Sequence, residues 1–201
     1  MKIIGITGPT GAGKSSLSEY LRSRDIPVIH ADRLYHSLLT PPSPCLDALR
    51  NAFGEAIFTE GGELNRKRLD EIVFDNEEKL ELLNATVLSI VLEESRRLFK
   101  NYEAEGKTWA AIDAPTLIES GFHKECDRVV SVICDPDVRL ERIMNRDGLD
   151  RKSAEARIRA QKPNSFYTEG SHTVIYNDTD KEQFLDKCRE FADRLFSEDA
   201  L

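Results

Sequence analysis

The chain has 201 residues, 40% of them hydrophobic, enough for one domain with insertions and a core of ordinary size. Its 28 Lys and Arg against 36 Asp and Glu leave a formal net charge of −8, which argues against broad binding to a nucleic-acid backbone and requires a local cluster for any anionic ligand. No apolar run reaches the length of a membrane span, and "MKIIGITGPTG" enters a strand without the basic and apolar regions of a signal peptide, so a cytoplasmic protein is expected.

In chain order, the first apolar run is "KIIGI" (2–6), followed by "GPTGAGKS" (8–15) and the helical "KSSLSEYLRS" (14–23). The middle stretch satisfies GxxxxGK[ST] in the strand, loop and helix setting that a phosphate-binding loop requires. Gly8, Gly11 and Gly13 let the backbone wrap around phosphates, and the binding segment runs through Gly11, Ala12, Gly13, Lys14, Ser15 and Ser16. Lys14 is placed to reach the β- and γ-phosphates, and Ser15 to offer its hydroxyl to Mg²⁺. The bland reading is a glycine-rich turn closing a βα unit.

The second run, "PVIHA" (27–31), leads into Asp32 at the expected carboxyl end of a strand, the edge where ligands gather in open α/β sheets. A carboxylate there can accept a proton from an attacking hydroxyl, orient it or help hold the metal. It can equally cap the following helix, "RLYHSLL", since Asp is a favoured N-cap.

Residues 37–105 are too long for a simple crossover and read as helices: "SPCLDALRNAF", "NRKRLDEIVF" and "NEEKLELLNATVLSIVLEESRRLFKNYEAEG". An inserted helical subdomain is expected. The third run, "WAAID" (109–113), ends in Asp113 as a Walker B element does, making it a candidate for a water-mediated Mg²⁺ contact. The competing reading is a cap or turn, with Pro115 starting a helix.

After "RVVSVI" (128–133), a polar helical stretch (136–164) carries Arg139, Arg142 and Arg146 at i, i+3 and i+7, one helical face able to close over a triphosphate. A solvated face paired with Asp137, Glu141 and Asp147 is the alternative. The last run is "TVIY" (173–176). Val- and Ile-rich runs spaced by helices predict an α/β fold with a parallel sheet. Cys45, Cys126, Cys134 and Cys188 form no CxxC pair and read as reduced, mostly buried thiols.

Taken together, "GITGPTGAGKSS", "IPVIHAD", "DAPTLIESG", "RLERIMNRDG" followed by "AEARIRAQ", and "VIYN" occur in an order that resembles the dephospho-coenzyme A kinases across nearly the whole chain. The resemblance implies a three-layer P-loop core (1–36, 106–135 and 171–201), an acceptor-binding insertion (37–105) and an arginine-bearing lid (136–170). It implies phosphorylation of the ribose 3′-hydroxyl of dephospho-CoA by ATP with Mg²⁺, Asp32 as general base, Arg142 meeting the phosphates and Asn177 near the adenine. Partners would be these small molecules, with no nucleic acid or membrane. A P-loop kinase for another metabolite or nucleoside monophosphate is the nearest rival, and a nucleotide-regulated switch the next, although no N-K-x-D guanine signature is present. The chain departs from the family's usual pattern at His30, Asn84 and Ala85, Thr116, and Ser171 and His172.

Overall fold

Each of the five apolar runs forms a strand in the computed structural model, which describes residues 1–74 and 76–198. They are β1 (Lys2–Thr7), β2 (Val28–His30), β3 (Trp109–Asp113), β4 (Arg128–Ile133) and β5 (Thr173–Tyr176), in the sheet order β2-β3-β1-β4-β5. β1 pairs in parallel with β3 on one side and with β4 on the other, and β4 pairs in parallel with β5. β2 is shorter than its apolar run because Ala31 already begins a helix, although Pro27 O still accepts from Ala111 N at 2.8 Å.

β3 is buried along its whole length and β4 along all but its first residue, which is why these strands are continuous apolar runs rather than alternating ones. One face of the sheet packs Ile4, Ile6, Val130 and Val132 against Leu17 and Leu21 of α1 (Lys14–Ser23) and Phe184, Cys188 and Leu195 of α9 (Lys181–Glu198). Residues of opposite parity meet the other layer. A Cβ at Gly5 would lie 2.5 Å from Leu117 Cδ2 and 2.9 Å from Cys126 Sγ, so this glycine serves close packing within the strand. Ser131 Oγ donates to Tyr167 O of α8 (Asn164–Glu169) at 3.2 Å. Helices therefore cover both faces of the sheet, as the sequence pattern predicts.

The polar stretch after β4 is broken into segments. α6 (Pro136–Asp147) starts on Asp135, whose carboxylate accepts from Asp137 N at 2.8 Å, with proline at the first turn. It stops at Gly148, whose φ of 65° is left-handed. α7 (Arg151–Arg159) restarts on Asp150, which accepts from Ser153 N at 2.7 Å. Leu140, Ile143 and Ala154 form a small core between α6 and α7.

The chain divides into two compact units, one made of residues 1–29 with Tyr102 onward, the other of His30–Asn101. The second unit holds α2 (Ala31–Ser37), α3 (Pro44–Phe53), α4 (Arg66–Val73) and most of α5 (Glu77–Ala104). Its own core is Cys45, Leu49, Ile57, Leu69 and Val73, with Phe53, Val87 and Ile90 packed against it. Ser43 and Asn65 cap α3 and α4 by accepting from Cys45 N and Arg68 N, both at 3.1 Å. All four cysteines are free and buried. Among the described residues, no helix is long and apolar enough to cross a membrane.

Candidate active site

The loop from Gly8 to Gly13 joins β1 to α1, and its glycines are required by conformation and by crowding. Gly8 and Gly13 have φ of 129° and 107°, values that L side chains rarely adopt. A Cβ on Gly8 would lie 2.2 Å from Val132 O, and one on Gly13 2.2 Å from Asn177 Nδ2. Gly13 occupies the N-cap of α1, so Lys14, Ser15 and Ser16 form the helix's first turn, where N–H groups and the helix dipole favour an anion. Lys14 Nζ donates to Gly8 O at 2.7 Å and Pro9 O at 3.2 Å, placing the ammonium group over the loop it follows.

Asp113 ends β3 next to the loop strand, with Ile6 as its register partner. It is 8% exposed. Its Oδ2 lies 2.9 Å from the hydroxyl of Ser18, one helical turn beyond Lys14, and Ser18 Oγ is also 3.0 Å from Lys14 O. Residues 115–120 form turns, so of the competing cap-or-turn reading the turn is present and no helix starts at Pro115. Among the described residues no group of three or more His, Cys, Asp or Glu is arranged to hold a metal. Ser15 and Asp113 carry hard oxygen donors of the kind that Mg²⁺ takes alongside water and phosphate.

The arginine face of α6 points largely inward. Arg139 is 3% exposed; its Nε donates to Thr10 O at 2.9 Å and its Nη2 to Gln161 Oε1 at 2.6 Å. Burial pulls its pKa below the ordinary guanidinium value. Arg142 is half-buried, with Nη1 3.5 Å from Gly11 O and 3.3 Å from Cys134 Sγ, and Nη2 3.4 Å from Asn177 Oδ1. Arg146 alone fits the solvated reading, pairing with Asp147 at 2.7 Å. Asn177 follows β5, is 5% exposed and donates from Nδ2 to Ala12 O at 2.7 Å, bracing the loop from below.

Sequence reasoning missed Gln161 and Ser18. Gln161 Oε1 also accepts from Thr10 N at 3.1 Å, and Gln161 Nε2 donates to Thr10 Oγ1 at 2.9 Å. It closes the block "AEARIRAQ", but nothing in that pattern points to the loop. Ser18 did carry a signal, a polar residue on the buried stripe of α1 between Leu17 and Leu21.

Asp32 belongs to the helical unit, two residues beyond the end of β2. It is exposed and lies in the first turn of α2, whose N-cap position is taken by His30. Asp32 is therefore not the cap that its residue type allows. The Ser171 and His172 departures support the sheet: the Ser171 and Ser131 hydroxyls are 2.7 Å apart, and His172 exchanges two bonds with Val129, one through Nδ1 and one through its backbone N, both 2.9 Å.

The family model for dephospho-CoA kinase matches residues 2–183. The chain belongs to the dephospho-CoA kinase family. It is 36% identical over 189 residues to the dephospho-CoA kinase of Carboxydothermus hydrogenoformans, covering 92% of each protein. Its fold matches the crystal structure of a Thermus thermophilus protein with a TM-score of 0.78, at 30% identity over 95% of both chains. It also matches the dephospho-CoA kinase of Campylobacter jejuni with a TM-score of 0.72, at 23% identity over 99% of this chain and 100% of that one, a likeness of fold. Membership of this dephospho-CoA kinase family carries the reaction class, ATP-dependent phosphorylation of dephospho-CoA in coenzyme A biosynthesis. Every candidate residue from Gly11 to Asn177 falls inside the matched span.

Proposed function

We propose that the chain transfers the γ-phosphoryl group of ATP to the ribose 3′-hydroxyl of dephospho-CoA, with Mg²⁺ as the required cation. The observation that carries this reading is the phosphate loop itself, glycines, Lys14 and helix start in one place, in a chain of the dephospho-CoA kinase family. In this reading the amides from Gly11 to Ser16 receive the phosphates and Lys14 shifts from the loop carbonyls to the β- and γ-phosphate oxygens. Ser15, and Asp113 through water, would hold Mg²⁺, which would neutralise negative charge on the triphosphate.

Asp32 is the proposed general base for the 3′-hydroxyl. It is supported by an exposed carboxylate that neither caps its helix nor serves a core. Arg142 is proposed to stabilise charge that grows on the transferring group, and Asn177 to shape the nucleotide site through the loop. The helical unit, with its independent core, is proposed to hold the acceptor, and residues 136–170 to act as the lid. A cytoplasmic location fits substrates of this kind.

The test is to incubate the protein with ATP, Mg²⁺ and dephospho-CoA, identify the product by mass and locate the new phosphate by NMR. Coenzyme A bearing a 3′-phosphate is expected, with Lys14→Ala reducing turnover by at least about a hundredfold, the scale of losing one transition-state donor. Phosphate on another position, or near-normal turnover in Lys14→Ala, would refute the assignment.

A further inference from the structure

Three consecutive carbonyls of the phosphate loop are met by side-chain donors from later in the chain: Thr10 O by Arg139, Gly11 O by Arg142 and Ala12 O by Asn177. A trans peptide points its C=O and the next N–H in opposite directions. Holding the carbonyls of residues 10, 11 and 12 thus sets the directions of the N–H groups of residues 11, 12 and 13. Such amides are the donors that a phosphate loop presents to an anion.

Thr10 is held most heavily. Gln161 accepts from Thr10 N and Arg139 Nη2 through one oxygen, and donates to Thr10 Oγ1 through its nitrogen. The chemistry at this point is unusual in one respect. Arg139 is a buried cation, and the described residues give it neutral acceptors, a backbone carbonyl and an amide oxygen, with no carboxylate partner. A buried charge of this kind is costly until an opposite charge arrives. A glutamate at position 161 would have the same reach, would accept the same two hydrogen bonds and would cancel the charge. Glutamine holds the arginine and leaves its charge in place.

We infer that Gln161 is a positioning residue for the nucleotide: it fixes Thr10 and Arg139 behind the phosphate loop while, being neutral, it leaves the positive charge of Arg139 uncancelled for the triphosphate. Gln161 acts through the loop and touches no reacting atom. The inference rests on the reading of the loop as the ATP site and adds to it a reason for an amide, in place of a carboxylate, at this position.

The test compares Gln161→Glu and Gln161→Leu with the unmodified protein by calorimetric titration with ATP and Mg²⁺ and with adenosine, alongside thermal melts and amide exchange over residues 8–16. Gln161→Glu is expected to melt at or above the parent temperature and to keep the loop's protection. It should bind ATP about tenfold more weakly and leave adenosine affinity unchanged, because only the phosphates meet the altered charge. Gln161→Leu loses the hydrogen bonds as well, so ATP affinity and loop protection should fall together. A purely structural role predicts instead that Gln161→Glu binds ATP as tightly as the parent, and that result overturns the inference. Weakening of ATP and adenosine to the same extent also overturns it. Failure of the parent to phosphorylate dephospho-CoA would refute the proposed function, whereas the ATP titrations still decide the role of Gln161.

Discussion

Asp113 and Asp32 each follow an apolar strand and each invites a choice between helix cap and chemistry. Asp113 is buried at the end of β3 with its carboxylate against the Ser18 hydroxyl. Asp32 stands exposed in the first turn of a seven-residue helix, with His30 in the cap position ahead of it. The contrast shows how one sequence pattern serves two physical ends. An acid wired into the core has its geometry fixed by the fold and contributes to it. An exposed acid contributes little to stability, so changing it tests chemistry almost alone.

The largest expected effect separates the two acids most sharply. Asp32→Asn should lower kcat by a factor of roughly 10² to 10⁴, about 3 to 5 kcal/mol of barrier, while unfolding free energy stays within about 0.5 kcal/mol. Stopped-flow turnover and urea unfolding on one preparation measure both; an unimpaired kcat would reduce Asp32 to a surface residue. Asp113→Asn should do the reverse in part. The new amide N–H groups enter a buried site built for an acceptor, so unfolding should become easier by about 1 to 3 kcal/mol, and half-maximal rate should require more Mg²⁺. Parent-like stability and Mg²⁺ dependence would place Asp113 outside both the core and the metal site.

Ser18→Ala removes the donor at Asp113 while leaving the acid, and should cost about 0.5 to 1.5 kcal/mol by urea unfolding. A loss equal to that of Asp113→Asn would mean that the hydrogen bond accounts for all of that acid's structural role. The smallest effect concerns groups that are buried and neutral. Burial pushes the thiols of Cys126 and Cys188 from the ordinary 9.0 up to about 12. Their native pKa is raised, so the stability they confer is complete below pH 9 and is lost as pH rises from 9 towards 12. At pH 7 their contribution should not change with pH, and neither thiol should react with a maleimide until the chain unfolds. Rapid labelling of the folded protein at neutral pH would contradict their burial.

Much of this molecule is legible from its residues alone, for local reasons. The five strands announce themselves as short apolar runs, and the phosphate loop is legible because glycine spacing, lysine and the following helix are contiguous. The break at Gly148 and the restart on Asp150 use ordinary capping chemistry that a reading of 136–164 as one stretch passes over. The tertiary partners are a different matter. Gln161 reaches Thr10 across 151 residues and Asn177 reaches Ala12 across 165, and no periodicity reports contacts of that range. For the same reason the arginine spacing on α6 correctly groups Arg139 with Arg142 but does not show that Arg139 is buried and bonded to a loop carbonyl. Ser171 and His172, departures by sequence comparison, are explained by the β4 and β5 ladder that they extend.

The insertion of His30–Asn101 between two neighbouring strands has a kinetic consequence. The partner that β1 needs on one flank, β3, is separated from it by the entire helical unit, so the sheet cannot be zipped up by local turns. Closing that span as loose chain would carry a large entropic penalty before any strand contact repaid it. A helical unit with its own apolar centre at Leu49, Ile57 and Leu69 can condense from short-range contacts and shorten the effective loop. Collapse of the helices is then expected to precede assembly of the sheet, and substitutions in the helical core should slow the folding of the strands that flank the insertion.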